Sequence, residues 1–501
     1  MTGSRLLKLA AFAAAYFAAA FAVAAGGAAS SGGMRLGWEF CIAQGKVPKL
    51  ETAKRLVDIA GKLGYDQIQL FSKAAFRYEK HPEASFERSP YTWKDVKELE
   101  EYCLSKGIEL VPYQALFSHM EPYLAVPRLN ALAEAPDAGV KARWGVTKYP
   151  MGLCPVDPRS IRLVDDILDE LLPNFRSSYV NTGCDEFIEF DDGGVRSAAA
   201  VKERGALEVY VDFIRKMESS VRRRGKTMMC WADVVLKHPE AVKSVPKDVV
   251  LLNWGYGAKH PFDAQCSVLA KSGHRFWVCP GTSGWNSLVG CVGNMKANVS
   301  AAYAAGVKHG ADGLLLTTWG DGGHPQPWIV ELPGLVYAAA LVREGKTLSG
   351  EELARRIDEI CGCRCGETLL RYGELYRLSG GAWLNASALC TILRTRGAVS
   401  RFPRGVTKES LEKVFAERRA AESRLCLDGA EDWVREDFEL MGLLLDAVEC
   451  RVRGDDGRVV GEISERYARL WLKQNRPGGL ESSIELNLMQ SKDWARTKKW
   501  N

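Results

Sequence analysis

Five carboxylates crowd the stretch NTGCDEFIEFDD, residues 181–192: Asp185, Glu186, Glu189, Asp191 and Asp192. A calcium loop would space its ligands as D-x-[DN]-x-[DN]-G with a later glutamate. This stretch does not, so no metal is expected here. Asp191 and Asp192 precede Gly193 and Gly194 as in a solvated turn. Glu189 is open between a pocket rim and a contact with a neighbouring loop. Asp185 and Glu186 differ, because they directly follow the strand-like SSYVNTG. Adjacent side chains at a strand end point apart, so the two acids would reach different parts of one bound molecule. Acid/base work on a glycosidic bond is the chemistry such a pair could do.

Other polar and aromatic residues fall in comparable places. His119 stands in QALFSHMEP, Trp231 and Asp233 in CWAD, and Trp254 and Tyr256 in NWGY. Trp285 stands in PGTSGWNS, and Trp319, Asp321 and His324 in TWGDGGHPQPW. Taken singly, each has an ordinary explanation: a structural histidine, a core tryptophan, an aspartate capping a helix. Taken together, indoles beside hydrogen-bonding groups suit a sugar ring, with its apolar faces and polar edges.

The elements that must position them follow a rhythm. Eight short apolar runs, at 35–42, 65–71, 108–113, 178–182, 226–231, 248–254, 274–280 and 313–319, read as strands buried on both faces. Amphipathic stretches separate them. Residues 49–64 carry one apolar stripe. Residues 92–107 open on Thr92 as N-cap and close at Gly107, and 157–172 open on Asp157–Pro158. Eight β/α units predict an α/β fold, a (β/α)8 TIM barrel over 34–345, with chemistry where strands end and βα loops begin. An open doubly wound sheet would want a Gly-rich phosphate turn after an early strand, and none is present. From 346 to 501 the pattern is helical only.

The chain of 501 residues is 26% charged with a net charge of +5 spread along its length, which gives no argument for nucleic acid. Residues 1–33 combine a basic start, an apolar run and small residues, and read as a secretory signal, with an uncleaved anchor as the alternative. Export is therefore expected, with membrane contact only through a retained anchor. Fourteen cysteines would allow disulfides in an exported protein, but several fall inside strands where buried thiols are common. The CGCRC stretch (Cys361, Cys363, Cys365) lacks the C-x-x-C pairing of ordinary zinc sites.

Over residues 35–345 the sequence resembles glycoside hydrolase family 20, the β-N-acetylhexosaminidases, and within it the hexosaminidase D-like branch. The resemblance rests on GKVPKLETAKRLVD, YDQIQLF, SPYTWKDVKELEEYCLSKGIELVP, SHMEPYL, LCPVDP, TGCDEF, WAD and TWGDGGH, with LWLKQNRPGGLESS near the C-terminus. It implies exo-hydrolysis of terminal β-N-acetylhexosamine (GlcNAc or GalNAc) by a substrate-assisted, retaining route without a cofactor. The sugar's own acetamido oxygen would attack the anomeric carbon. Glu186 would match the general acid/base and Asp185 the residue orienting the acetamido N–H. Tyr256 would match the hydrogen bond to the acetamido oxygen. Trp231, Trp254 and Trp319 would wall the pocket, Asp321 would grip ring hydroxyls, and His119 would match a histidine beside the acid/base. The sequence departs from the family pattern at several places. Leu36 stands where relatives carry an arginine, with Arg35 one place off. Cys41 and Lys73 stand where acids are expected, Asn181 where a histidine is expected, and Ser118 precedes His119 in place of glycine. These departures keep open a carbohydrate-binding or altered-specificity relative. The sequence does not indicate an oligomeric state.

Overall fold

The computed structural model describes residues 33–85, 89–136, 141–142, 145–146, 149–191, 193–381, 385–395, 402–454 and 458–488. The N-terminal apolar run, with the expected signal or anchor, and Asp192 lie outside the described residues. Among the described residues, no helix is long and apolar enough to cross a membrane.

All eight expected strands form. They are β1 (Arg35–Cys41), β2 (Gln67–Ser72), β3 (Glu109–Gln114), β4 (Tyr179–Asn181), β5 (Thr227–Trp231), β6 (Val250–Trp254), β7 (Phe276–Cys279) and β8 (Gly313–Thr318). All pair in parallel, and β8 returns to β1 with Trp38 opposite Leu316, which closes the barrel. β4 is the shortest at three residues, so the chain leaves the sheet early just where the acidic stretch begins.

Strand alternation divides the apolar residues into two clusters. Trp38, Ile68, Leu110, Val180, Met228, Leu251, Val278 and Leu314 face outward into the main core beneath the helices. Phe71, Tyr113, Met229, Trp231, Leu252, Trp277 and Leu315 fill the barrel interior. This two-sided burial explains the continuous apolar runs. The helices start where the sequence says. Thr92 and Asp95 form a reciprocal capping box at Trp93–Ser105, and Asp157 caps Pro158–Leu171 through the Arg159 N–H.

A polar thread runs through the apolar interior. Glu109 accepts from Arg35 at 2.8 Å and from the Gln67 amide at 3.0 Å. Gln67 accepts from Gln69 at 2.9 Å, and Gln69 accepts from Asn181 at 2.9 Å. Asn181 then accepts the Gly183 N–H at 3.0 Å, just before the acid pair. Each buried amide is therefore satisfied, which is the condition for tolerating it in a core. Arg35 is thus committed to the end of the barrel where the strands begin, far from the βα loops.

After β8, the helix Leu332–Glu344 is buried at every position from Leu332 to Leu341, and the described residues beyond it form helices. The segment 473–479 returns to the first βα loop. Lys49 N–H donates to the Gln474 carbonyl at 2.9 Å, Arg476 N–H to the Val47 carbonyl at 2.8 Å, and Trp328 Nε1 to Asn475 at 3.1 Å. None of the fourteen cysteines is joined in a disulfide. The disulfide alternative is therefore not realised.

Candidate active site

Seven non-glycine residues have positive φ among the described residues: His119, Cys184, Glu186, Ser283, Asn286, Leu288 and His324. All lie on loops that follow the third, fourth, seventh or eighth strand. Such conformations cost roughly 1–3 kcal/mol each and gather where structure is held for a purpose. Two of them, Cys184 and Glu186, flank Asp185.

The turn is held from several sides. Tyr210 donates to the Cys184 carbonyl at 2.6 Å, and Asn181 holds the Gly183 N–H. Asp233, at the end of β5, accepts the Glu186 N–H at 3.1 Å. The result presents both acids to one histidine. His119 Nε2 lies 3.5 Å from Asp185 Oδ2 and 3.5 Å from Glu186 Oε2. On its other side, His119 Nδ1 lies 3.8 Å from Glu121 Oε1, and Lys73 Nζ lies 3.2 Å from both Glu121 oxygens.

The charges follow from this packing. Burial opposes a charge on His119, but the Asp185 carboxylate beside it overrides burial and holds the imidazole well above its ordinary pKa. Burial also opposes a charge on Glu121, but the Lys73 ammonium wins and holds that carboxyl down at about 2. Asp233 goes the other way, pushed up to about 7 by burial and then by Asp185. Asp321 is raised by burial and by Glu186, against the pull of Lys73 and His119, which places it in the same group of charges. The site thus holds a cationic imidazole between two acids, with Asp233 ready to carry a proton near neutrality.

Beside the acids stands a continuous aromatic wall. Trp254 stacks on Tyr256 at 5.1 Å, and the Tyr256 hydroxyl accepts from Trp319 Nε1 at 2.8 Å. Trp319 lies 5.8 Å from Trp231, whose Nε1 donates to Tyr113 at 2.6 Å. Trp254, Tyr256, Trp319 and Asp321 are partly open, and these can meet a ligand. Trp231 is 1% and Trp285 2% exposed, so both stand behind that surface. Trp285 supports the edge of Tyr256 at 5.0 Å. His324, 1% exposed, is turned against Trp328 rather than toward the acids.

The remaining acids of the stretch separate. Glu189 is buried and accepts the Gly152 N–H at 2.6 Å, which settles it as a loop tie. Asp191 is exposed, as a solvated turn requires. Asn181 is fully buried and hydrogen bonded at both ends, so it positions the turn and offers a ligand no surface. Leu36 and Cys41 are likewise fully buried in the barrel wall. Sequence reasoning missed Glu121 and Tyr113. The signal for Glu121 was its place two residues after His119. Tyr113, inside an apolar strand, gave none.

Comparison with known proteins fits this geometry. Residues 65–285 match the catalytic domain of glycosyl hydrolase family 20. Hexosaminidase D of Bos taurus is 25% identical over 237 residues, covering 46% of this chain and 65% of that protein. Hexosaminidase D of Homo sapiens is 22% identical over 295 residues, covering 55% of this chain and 58% of that protein. The chain thus spans less than two thirds of either relative. A β-N-acetylhexosaminidase from Bacteroides fragilis shares the fold with a TM-score of 0.50 at 16% identity, covering 65% of this chain and 70% of that one. A chitobiase from Flavobacterium johnsoniae does so with a TM-score of 0.53 at 14% identity, covering 91% and 78%. The part of the barrel that carries Asp185 and Glu186 after its fourth strand thus lies within the stretch that matches the catalytic domain of glycosyl hydrolase family 20.

Proposed function

We propose that this barrel is a glycosidase that removes terminal β-N-acetylhexosamine from glycans by a substrate-assisted, retaining mechanism. The observation that carries the reading is the strained turn that presents Asp185 and Glu186 together to His119, each at 3.5 Å. Glu186 protonates the leaving oxygen and then activates water, with His119 standing beside it. Asp185 holds the acetamido N–H and steadies the positive charge that develops on the oxazolinium ring. Trp254, Tyr256 and Trp319 enclose the acetamido group, and Asp321 grips ring hydroxyls. We further propose, from the N-terminal apolar run, that the protein is exported.

The test is a turnover screen of N-acetylated against non-acetylated aryl glycosides, with Glu186→Gln as control. Rapid hydrolysis of the N-acetylated series is expected, falling about 10²–10⁴-fold in the variant while its circular dichroism and melting temperature hold. Faster turnover of sugars lacking the acetamide would overturn the substrate-assisted mechanism.

A second reading, sugar binding with altered specificity or little turnover, is favoured by one observation. Leu36 and Cys41 are buried and Lys73 is paired to Glu121, so none supplies the hydroxyl-gripping groups of relatives. Tight sugar binding without hydrolysis by the unaltered protein would select it.

A further inference from the structure

We propose that His119, Asp185 and Glu186 also form a zinc site, through which zinc acts as a reversible inhibitor. The three ligand atoms lie within 4.8 Å of one another. His119 Nε2 is 3.5 Å from Asp185 Oδ2 and from Glu186 Oε2. Zinc bound tetrahedrally at its usual ~2.0–2.1 Å sets neighbouring donor atoms about 3.4 Å apart. The two distances from His119 match that spacing, and the two carboxylate oxygens, within 4.8 Å of each other, would close onto the ion. One nitrogen and two oxygens are suitable zinc donors, and a mouth open to water supplies the fourth position.

The surroundings of His119 strengthen the assignment. A metal-bound imidazole usually turns its other nitrogen to a carboxylate, which fixes the ring and raises its basicity. Here His119 Nδ1 faces Glu121 Oε1 at 3.8 Å, and Lys73 holds Glu121 in place at 3.2 Å. Charge agrees as well. Asp185, Glu186, Glu121 and Asp321 surround a centre whose balancing cations are His119 and Lys73, and zinc would take the place of the His119 proton. Among the described residues no other group of three His, Cys, Asp or Glu side chains meets this spacing, the Cys361, Cys363 and Cys365 cluster included.

Zinc would occupy the Glu186 oxygen lone pair that must carry the proton to the leaving group. The inhibitory half of the proposal therefore rests on the proposed function, while binding does not. The test is calorimetric titration of the full chain with zinc chloride, in parallel with cobalt(II) absorption spectra. The unaltered protein should bind one ion that His119→Gln and Glu186→Gln each weaken at least tenfold. Both variants keep all fourteen cysteines, so thiol binding is common to every sample. Should either variant fail to fold by circular dichroism, the cobalt spectrum of the unaltered protein decides alone. The intense d–d bands of four-coordinate cobalt are expected, without a thiolate charge-transfer band. Equal zinc binding in folded variants, or a thiolate band accompanying occupancy, overturns the site. Zinc bound as described with turnover unaffected by occupancy overturns the inhibition. Zinc bound as described in a protein that hydrolyses no N-acetylhexosaminide leaves the site standing and removes the catalytic reading instead.

Discussion

Asp233 carries no reacting atom in the proposed chemistry, yet its carboxylate holds the Glu186 backbone while lying against Asp185. Its pKa is raised from the ordinary carboxylate range to about 7, by burial first and Asp185 second. Between about pH 4 and 7 the folded state therefore keeps a proton that the unfolded chain releases, and this contribution to stability falls as pH rises. Asp233→Asn keeps the shape and removes the titration. Urea unfolding should show the variant gaining stability relative to the unaltered protein from pH 4.5 to pH 7.5. A pH-independent difference would mean that Asp233 is already ionised throughout.

At the scale of elements, the site depends on loops that the barrel holds in unfavourable conformations. The acid-bearing turn is pinned by the interior amide thread below, by Tyr210 behind and by Asp233 beside it. The first βα loop is pinned from a distance by residues 473–479. There Gly479, at φ +73°, lies so close to Gly45 that an added Cβ would sit 2.4 Å from its backbone carbon. Neither the conformation nor the space admits a side chain. Gly479→Ala should cost well over ~1 kcal/mol, read as a lowered melting temperature. An unchanged melting temperature would show that the two loops separate freely.

For the molecule as a whole, the barrel and its C-terminal helices share one core. Helix Leu332–Glu344 is apolar all round and buried from Leu332 to Leu341, so its outer side must be covered by later residues. Asp437 of helix Asp432–Arg453 accepts the Ile329 N–H at 2.9 Å, and Trp328 bonds Asn475, so the loop after β8 is braced by the same region. A chain ending at residue 345 should therefore aggregate or fail to melt cooperatively. A monomeric, cooperatively melting fragment would show that the barrel stands alone.

The sequence by itself determined the barrel, because parallel strands buried on both faces must be continuous apolar runs and their helices must be amphipathic and capped. It also located Asp185 and Glu186 at a strand end, since only a polar pair directly after such a run is placed for chemistry. What it left open was which polar residues face a ligand. His119 and Glu121 meet Lys73 only because the loops after the second and third strands pack side by side, a relation that no spacing along the chain records. Asn181 looked like a change in the pocket and proved to be the last link of a buried amide thread. Trp231, Trp285 and His324 occupy the same end of the barrel as Trp254 and Trp319, but packing buries the first three and leaves the last two partly open. Spacing fixes which end of the barrel a residue occupies, and only tertiary packing decides which way its side chain turns.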